Sequence, residues 1–322
     1  MIMNPIGGYF ELEFPERRGF PHDDGVLLNS GRNALEYVLL ALGNVSNVWV
    51  PFYTCDVVLE PMLKLGIPYR FYHINQNLEL DKLPSLESGE YLIYTNYFGI
   101  KDEYVRELAY YYESQLIVDN AQAWFAKPID GVNTIYSPRK YVGVPDGGVA
   151  YCVNYIDEKI FEQDVSYERC SHLLKRIDLG PSEGYSDFKS NSNKLEGTPI
   201  NRMSRLTHRL LSAIDFEAVK NQRMKNFKHL HECLGDVNLF PMPSDESFAC
   251  PMVYLYQTND SSLRKKLIEK DVFVATYWPN VYEWCKLEDW EFILADSVAY
   301  IPIDQRYDIN DMAYIISVLK EV

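Results

Sequence analysis

The chain has 322 residues and a mass of 37.5 kDa, room for one large domain or two medium ones with a sizeable core. Thirty-one Lys and Arg against 46 Asp and Glu give a formal net charge of −15, which argues against a general nucleic-acid or anionic-membrane surface because such a chain repels polyphosphate at long range. A small phosphorylated ligand in a local pocket stays compatible with that charge, and 47% hydrophobic content at a mean hydropathy of −0.24 marks a soluble globular chain.

At the start, residues 1–8 lack the basic and apolar regions of a signal peptide. Ser30 is expected to cap a helix in which Leu35, Val38, Leu39 and Leu42 recur at i, i+3, i+4 and i+7, with Gly43 as its stop. Val48 to Tyr53 is a short β-rich run, and Asp56 is expected to cap a helix that passes through Met62 and Leu65 to Gly66. Strands are expected at Ile67 to Ile74, Tyr91 to Tyr94 and Gln115 to Val118, with a helix from Asp102 to Glu113 that turns Val105, Leu108 and Ala109 inward. A further strand is expected from Val149 to Val153. This alternation predicts an α/β domain with a largely parallel sheet, in which ligands gather at the carboxyl ends of the strands.

Residues 155–198 are polar and irregular, and they read as long connections or a mobile flap. Helix is expected from Arg202 to about Leu234, then strands at Met252 to Tyr256 and Val272 to Thr276, and a closing helix from Asn310 to Glu321. The division expected is a large α/β domain over residues 1–218 and a smaller α+β domain over 219–322. Six scattered cysteines show neither a disulfide framework nor zinc spacing, and no apolar run reaches membrane-spanning length, so a reducing cytoplasm is the expected compartment.

Three segments could carry chemistry. Lys140 lies in a turn-rich stretch and is followed by Asp146-Gly147-Gly148. A lysine held in a tight, partly desolvated turn can lose its proton and attack a carbonyl to form a Schiff base, although an isolated lysine is more often a surface residue. In Asp119-Asn120-Ala121-Gln122 the aspartate ends an apolar strand. An Asp so placed can pair with the protonated ring nitrogen of a pyridine cofactor, or it can cap a following helix. The helix start at Ser30-Gly31-Arg32-Asn33 offers free N–H groups and a positive dipole end to a phosphate, or is a plain capped helix. The stripe Arg202, Arg205, His208 and Arg209 reads as a solvated or salt-bridged face, and His229 and His231 point to different faces, so no metal site is expected.

In order and spacing these segments resemble the DegT/DnrJ/EryC1/StrS family of pyridoxal-phosphate (PLP) sugar aminotransferases, within the fold type I aspartate aminotransferase superfamily. Arg202-Met203-Ser204, Ala275 to Pro279 and Ile301 to Tyr307 extend the resemblance over nearly the whole chain. It implies the PLP-dependent transferase fold type I, with a large domain built on a mostly parallel mixed sheet flanked by helices and a smaller C-terminal α+β domain. Lys140 would hold pyridoxal 5'-phosphate and move protons, Asp119 would pair with its ring nitrogen, and Gln122 would lie near the ring. Gly31, Arg32 and Asn33 would give amides to the phosphate. Ile135 stands where the family has a phosphate-binding Ser, with Ser137 as its substitute. Cys55 stands at the ring-packing aromatic, with Tyr53 as replacement, and Ile200 stands at an Asn that reaches across a dimer, with Asn201 beside it.

The partners implied are an amino-acid donor such as glutamate and a keto-sugar nucleotide, in polysaccharide or amino-sugar biosynthesis. A homodimer with its active site at the subunit interface is also implied. Gln122, where dehydratase relatives carry His, favours transamination. The alternative is a catalytically altered relative that binds PLP or a sugar nucleotide in a regulatory role.

Overall fold

The computed structural model describes residues 7–15, 19–260 and 262–321. Strand β1 (Val26–Leu28) leads into α1 (Gly31–Leu42), β2 (Asn47–Pro51), α2 (Glu60–Leu65), β3 (Tyr69–Tyr72), β4 (Glu90–Thr95), α3 (Asp102–Tyr112), β5 (Leu116–Asn120), β6 (Asn133–Tyr136) and β7 (Gly148–Tyr151). These seven strands form one sheet in the order β1-β7-β6-β5-β4-β2-β3. Strands β2 to β6 run parallel, and β7 is antiparallel to both β6 and β1.

Strands buried on both faces carry continuous apolar runs. On β4 and β5, Leu92, Tyr94, Leu116 and Val118 enter the core on one side, while Ile93 and Ile117 meet α1 residues Leu35, Val38 and Leu39 on the other. The Ser30 Oγ accepts the Asn33 N–H at 3.1 Å and opens α1, and Gly43 ends it at φ +76°, as the sequence predicts. The chain before β1 is pinned by His22, stacked on Tyr136 with ring centroids 3.7 Å apart and hydrogen-bonded to the Trp124 carbonyl at 2.7 Å. Burial pushes this imidazole down to about 4, so it stays neutral near pH 7.

Several expectations are corrected. Asp56 opens a 3₁₀ turn, Asp56–Val58, while α2 starts at Glu60 with no side-chain cap and Pro61 in its first turn. The strand expected over Ile67 to Ile74 narrows to β3. Residues 155–198, read as irregular, contain α4 (Ser171–Asp178) and α5 (Pro181–Asn193), packed as a hairpin. Gly180 turns the chain at φ +89°, and Pro181 supplies the preset φ of a first helical residue. A Cβ on Gly184 would come within 3.0 Å of the His172 carbonyl, so glycine there lets the two helices close. Ser and Asn are poor helix formers, which hid α5 from a propensity reading.

The single helix expected from Arg202 is two, α6 (Arg205–Ala213) and α7 (Phe216–Leu234). The chain is extended at Ile214, and the Asp215 carboxylate accepts the Ala218 N–H at 3.0 Å to start α7. Then follow β8 (Val253–Gln257), α8 (Leu263–Glu269), α9 (Val281–Trp284), α10 (Trp290–Ser297), β9 (Val298–Pro302) and α11 (Ile309–Glu321). Strands β8 and β9 pair antiparallel, and α7 packs against α11 and β8. Val272 to Thr276 is no strand. It touches β9 at one antiparallel bridge, Ala275 to Tyr300.

Candidate active site

The carboxyl ends of β2, β4, β5 and β6 converge on the first turn of α1 around a cavity of about 150 Å³. Ser30, Gly31 and Arg32 form one wall, and Thr54 and Cys55 after β2 form a second. Thr95, Asp119 and Gln122 form the floor, with Ile135, Ser137 and Lys140 beside them and Trp278 opposite.

Asp119 is buried near the end of β5 and its Oδ1 accepts the Ala121 N–H at 2.8 Å. No helix stands between β5 and β6, so Asp119 caps none. Burial raises its pKa, and the charge of Lys140 opposes that rise. Lys140 ends the short turn Pro138–Lys140 and is exposed. Among the described residues its ammonium has no hydrogen-bond or ion-pair partner. Its field also opposes the upward shift that burial imposes on the Cys55 thiol. A free lysine and a buried carboxylate therefore share one cavity.

Ser137 abuts the start of α1: a Cβ on Gly31 would lie 3.2 Å from the Ser137 Cβ. The Asp146-Gly147-Gly148 motif does not line the cavity; it locks the cavity wall. A Cβ on Gly148 would come 2.1 Å from the Ser30 carbonyl oxygen, and the Gly147 N–H, at φ +113°, donates to the Asn29 carbonyl at 2.9 Å. Asp146 is fully buried, takes the Arg169 guanidinium at 2.6 and 3.0 Å, and accepts the Thr207 hydroxyl. Neither Arg169 nor Thr207 carries a sequence signal for this role.

Two expected site residues, Asn33 and Tyr53, stand outside this cavity. Asn33 is outside the cavity wall: its N–H is spent on Ser30 Oγ, and its amide side chain reaches Glu36 and the Thr198 carbonyl. Tyr53 is fully buried behind the wall, its hydroxyl paired with that of Tyr300. Ile200 packs into the core under α1, and Asn201 pairs through its backbone with Asn29, so neither lines the cavity of its own subunit. Arg32 keeps its place at the wall, but its guanidinium is held by Glu60 at 2.6 Å. The basic stripe on α6 makes local contacts, Arg209 to Glu11 and His208 edge-on to Phe20.

Trp278 is the residue that sequence reasoning missed. It meets Tyr53 edge-on at 5.0 Å and lies nearly parallel to Phe98. The Asn280 side chain donates to the Thr54 carbonyl at 2.9 Å and ties this segment to the loop after β2. Its signal was the aromatic segment Ala275 to Pro279, quoted for the resemblance but given no role.

Among solved structures, the chain is similar to the sugar aminotransferase CalS13 from Micromonospora echinospora, with TM-score 0.61 and 13% identity over 92% of this chain and 86% of that one. It is also similar to NtdA from Bacillus subtilis with bound cofactor PMP (TM-score 0.63, 14% identity, 92% and 72% covered). A third similar structure is DesI in the presence of its TDP-sugar product (TM-score 0.63, 15% identity, 92% and 79% covered). The fold is that of the type I PLP-dependent aminotransferases. No protein-family model and no curated protein matches the chain.

The residues present fit the cofactor of that fold. Two buried polar atoms on residues of the cavity wall, Gln122 Nε2 and Thr95 Oγ1, have no hydrogen-bond partner among the described residues. Buried polar groups are rarely left so. The Gln122 Oε1 is held by the Phe98 N–H at 3.0 Å, which fixes the amide. Gly31 and Arg32 at the start of α1, with Ser137 against them, suit a phosphate. Among the described residues no group of three or more His, Cys, Asp or Glu could hold a metal ion, and no helix is long and apolar enough to cross a membrane.

Proposed function

We propose that this protein is a PLP-dependent aminotransferase that passes an amino group from an amino acid such as glutamate to a keto-sugar nucleotide. The observation that carries this reading is the unpaired Lys140 beside the buried Asp119, at strand ends that meet the start of α1. When bound, the cofactor supplies an electron sink that acidifies the carbon bearing the transferred amine.

The chain's own residues divide the remaining work. Lys140 Nζ would hold the cofactor and, as an amine, would take a proton from the substrate carbon and return one on the other side of the transfer. The Asp119 carboxylate, in a poorly solvated site, would hold a proton on the cofactor's ring nitrogen. Gly31 and Arg32 N–H groups and the Ser137 hydroxyl bind the phosphate at the positive end of α1. Gln122 Nε2 would offer the cofactor a hydrogen-bond donor, and Trp278 with Cys55 would help keep water from the cavity. Such sites act as homodimers in the family that the sequence resembles, and the exposure of Lys140 in one subunit suits a partner that covers it.

Single-turnover mixing tests the reading. Protein loaded with PLP and mixed with L-glutamate, without acceptor, is expected to lose its visible absorbance band and release one equivalent of 2-oxoglutarate per bound cofactor. If the loaded protein leaves glutamate, aspartate, glutamine and alanine all unchanged, amino transfer is wrong. A binding-only relative is then the better description.

A further inference from the structure

Next to the exposed Lys140 stands Tyr141, which is buried and held at both ends. Its hydroxyl donates to the Gln122 carbonyl at 2.7 Å. Its own carbonyl accepts the Arg223 guanidinium at 3.1 Å and the Gln305 amide at 2.9 Å. Arg223, on α7, also lies over the Tyr141 ring, 4.6 Å from its centroid. The Lys140 side chain is therefore free to move while the backbone beside it is fixed.

These bonds belong to a closed circuit. Arg223 donates to the Met252 carbonyl at 3.0 Å, and the Met252 N–H donates to the Phe98 carbonyl at 2.7 Å. The Phe98 N–H donates to Gln122 Oε1 at 3.0 Å, and the Gln122 carbonyl leads back to Tyr141. All five residues are buried. Gly99 lets the circuit close. At φ +69°, a Cβ there would stand 2.9 Å from the Tyr141 hydroxyl and 3.0 Å from the Gln122 carbonyl oxygen.

Among the described residues Arg223 makes no ion pair, although buried charges are usually paired. Replacing a buried charge by apolar groups is often neutral or favourable for stability, so stability alone gives little reason for a guanidinium here. A rigid fork spanning two carbonyls does have a use: it fixes their separation.

We infer that Tyr141 is a positioning residue for Lys140, held in place by Arg223 and Gln305. The circuit sets the lysine turn at a constant distance from Gln122 at the floor of the cavity, so that only the lysine side chain moves during reaction. A misplacement of about 1 Å can cost roughly 10²-fold in rate. The inference rests on the aminotransferase reading and adds what aims its lysine.

The test opens the circuit at one bond with Tyr141→Phe, which keeps the ring. Mixed with PLP in stopped flow, the cofactor-free variant is expected to gain the visible band about tenfold more slowly than wild type. In the glutamate half-reaction its limiting rate should also fall about tenfold, with the half-saturating glutamate concentration within about twofold. Tyr72→Phe is the control, since it loses a buried hydroxyl bond to the Ile93 carbonyl outside the circuit. Both of its rates should match wild type. Gln305→Ala, which leaves Arg223 as the remaining donor to the Tyr141 carbonyl, should slow both steps about threefold and serves if Tyr141→Phe does not fold.

Wild-type rates in a folded Tyr141→Phe, a loss confined to glutamate binding, or an equal loss in Tyr72→Phe would each overturn the positioning role. If wild type converts glutamate and both circuit variants equal it, only this role falls. If wild type takes PLP onto Lys140 but leaves glutamate unchanged, while Tyr141→Phe takes it up tenfold more slowly, amino transfer falls and the positioning role stands.

Discussion

Lys140→Ala is expected to lose amino transfer by about 10³-fold or more, because proton transfer by a positioned base is commonly a 10²- to 10⁴-fold effect and the covalent hold on the cofactor goes with it. Among the described residues that line the cofactor cavity, Lys140 is the only lysine, so no second amine stands ready to replace it. Stability should hardly move. The side chain is exposed and unpaired, and surface substitutions of that kind usually stay within about 0.5 kcal/mol. The check is initial rate with L-glutamate and an acceptor, together with a denaturant melt of the same preparation. A variant that keeps more than a tenth of wild-type turnover would remove Lys140 from the chemistry.

Asp146→Ala is expected to act the other way, on stability first. Its carboxylate is fully buried and holds both the Arg169 guanidinium and the Thr207 hydroxyl. Breaking a buried ion pair from one side costs about 3–5 kcal/mol, and Asp164 remains as a second partner for Arg169, so the lower end applies. The damage should reach the cofactor as well. Asp146 precedes the Gly147-Gly148 pair that packs against Ser30, and Ser30 opens the helix that receives the phosphate. PLP affinity should therefore fall along with the melting midpoint, whereas Lys140→Ala separates activity from stability. A loss below 1 kcal/mol with unchanged PLP affinity would show that the motif is not the clamp described above.

The large sheet was legible because its strands are short apolar runs separated by helices with clear start and stop residues. Ser30 and Gly43 bound α1 where the sequence places them. The α4–α5 hairpin was not legible. Helix α5 is polar and rich in Ser and Asn, α4 is only eight residues long, and the close approach at Gly184 that lets the two pack shows only in three dimensions. At the site, Asp119, Gln122, Gly31, Arg32, Ser137 and Lys140 were readable from strand ends, a helix start and motif spacing, and the structure brings them around one cavity.

Three residues do other work than the sequence suggests, each for its own physical reason. Asn33 was chosen for proximity to the helix start, but an N-cap serine consumes its N–H. Tyr53 is the aromatic nearest Cys55 in sequence, yet in the bend after β2 it is fully buried with its hydroxyl on that of Tyr300, while Trp278 arrives from more than 200 residues away. Asp146 was read as part of a catalytic motif, and its work is to hold the wall.

The most direct measurement is borohydride reduction of the PLP-loaded protein followed by peptide mapping in a mass spectrometer. The expected result is one pyridoxyl phosphate per chain, fixed to the peptide that carries Lys140 and absent from Lys140→Ala. Reduction that marks another lysine, or marks none at saturating cofactor, would contradict the assignment of this cavity to PLP.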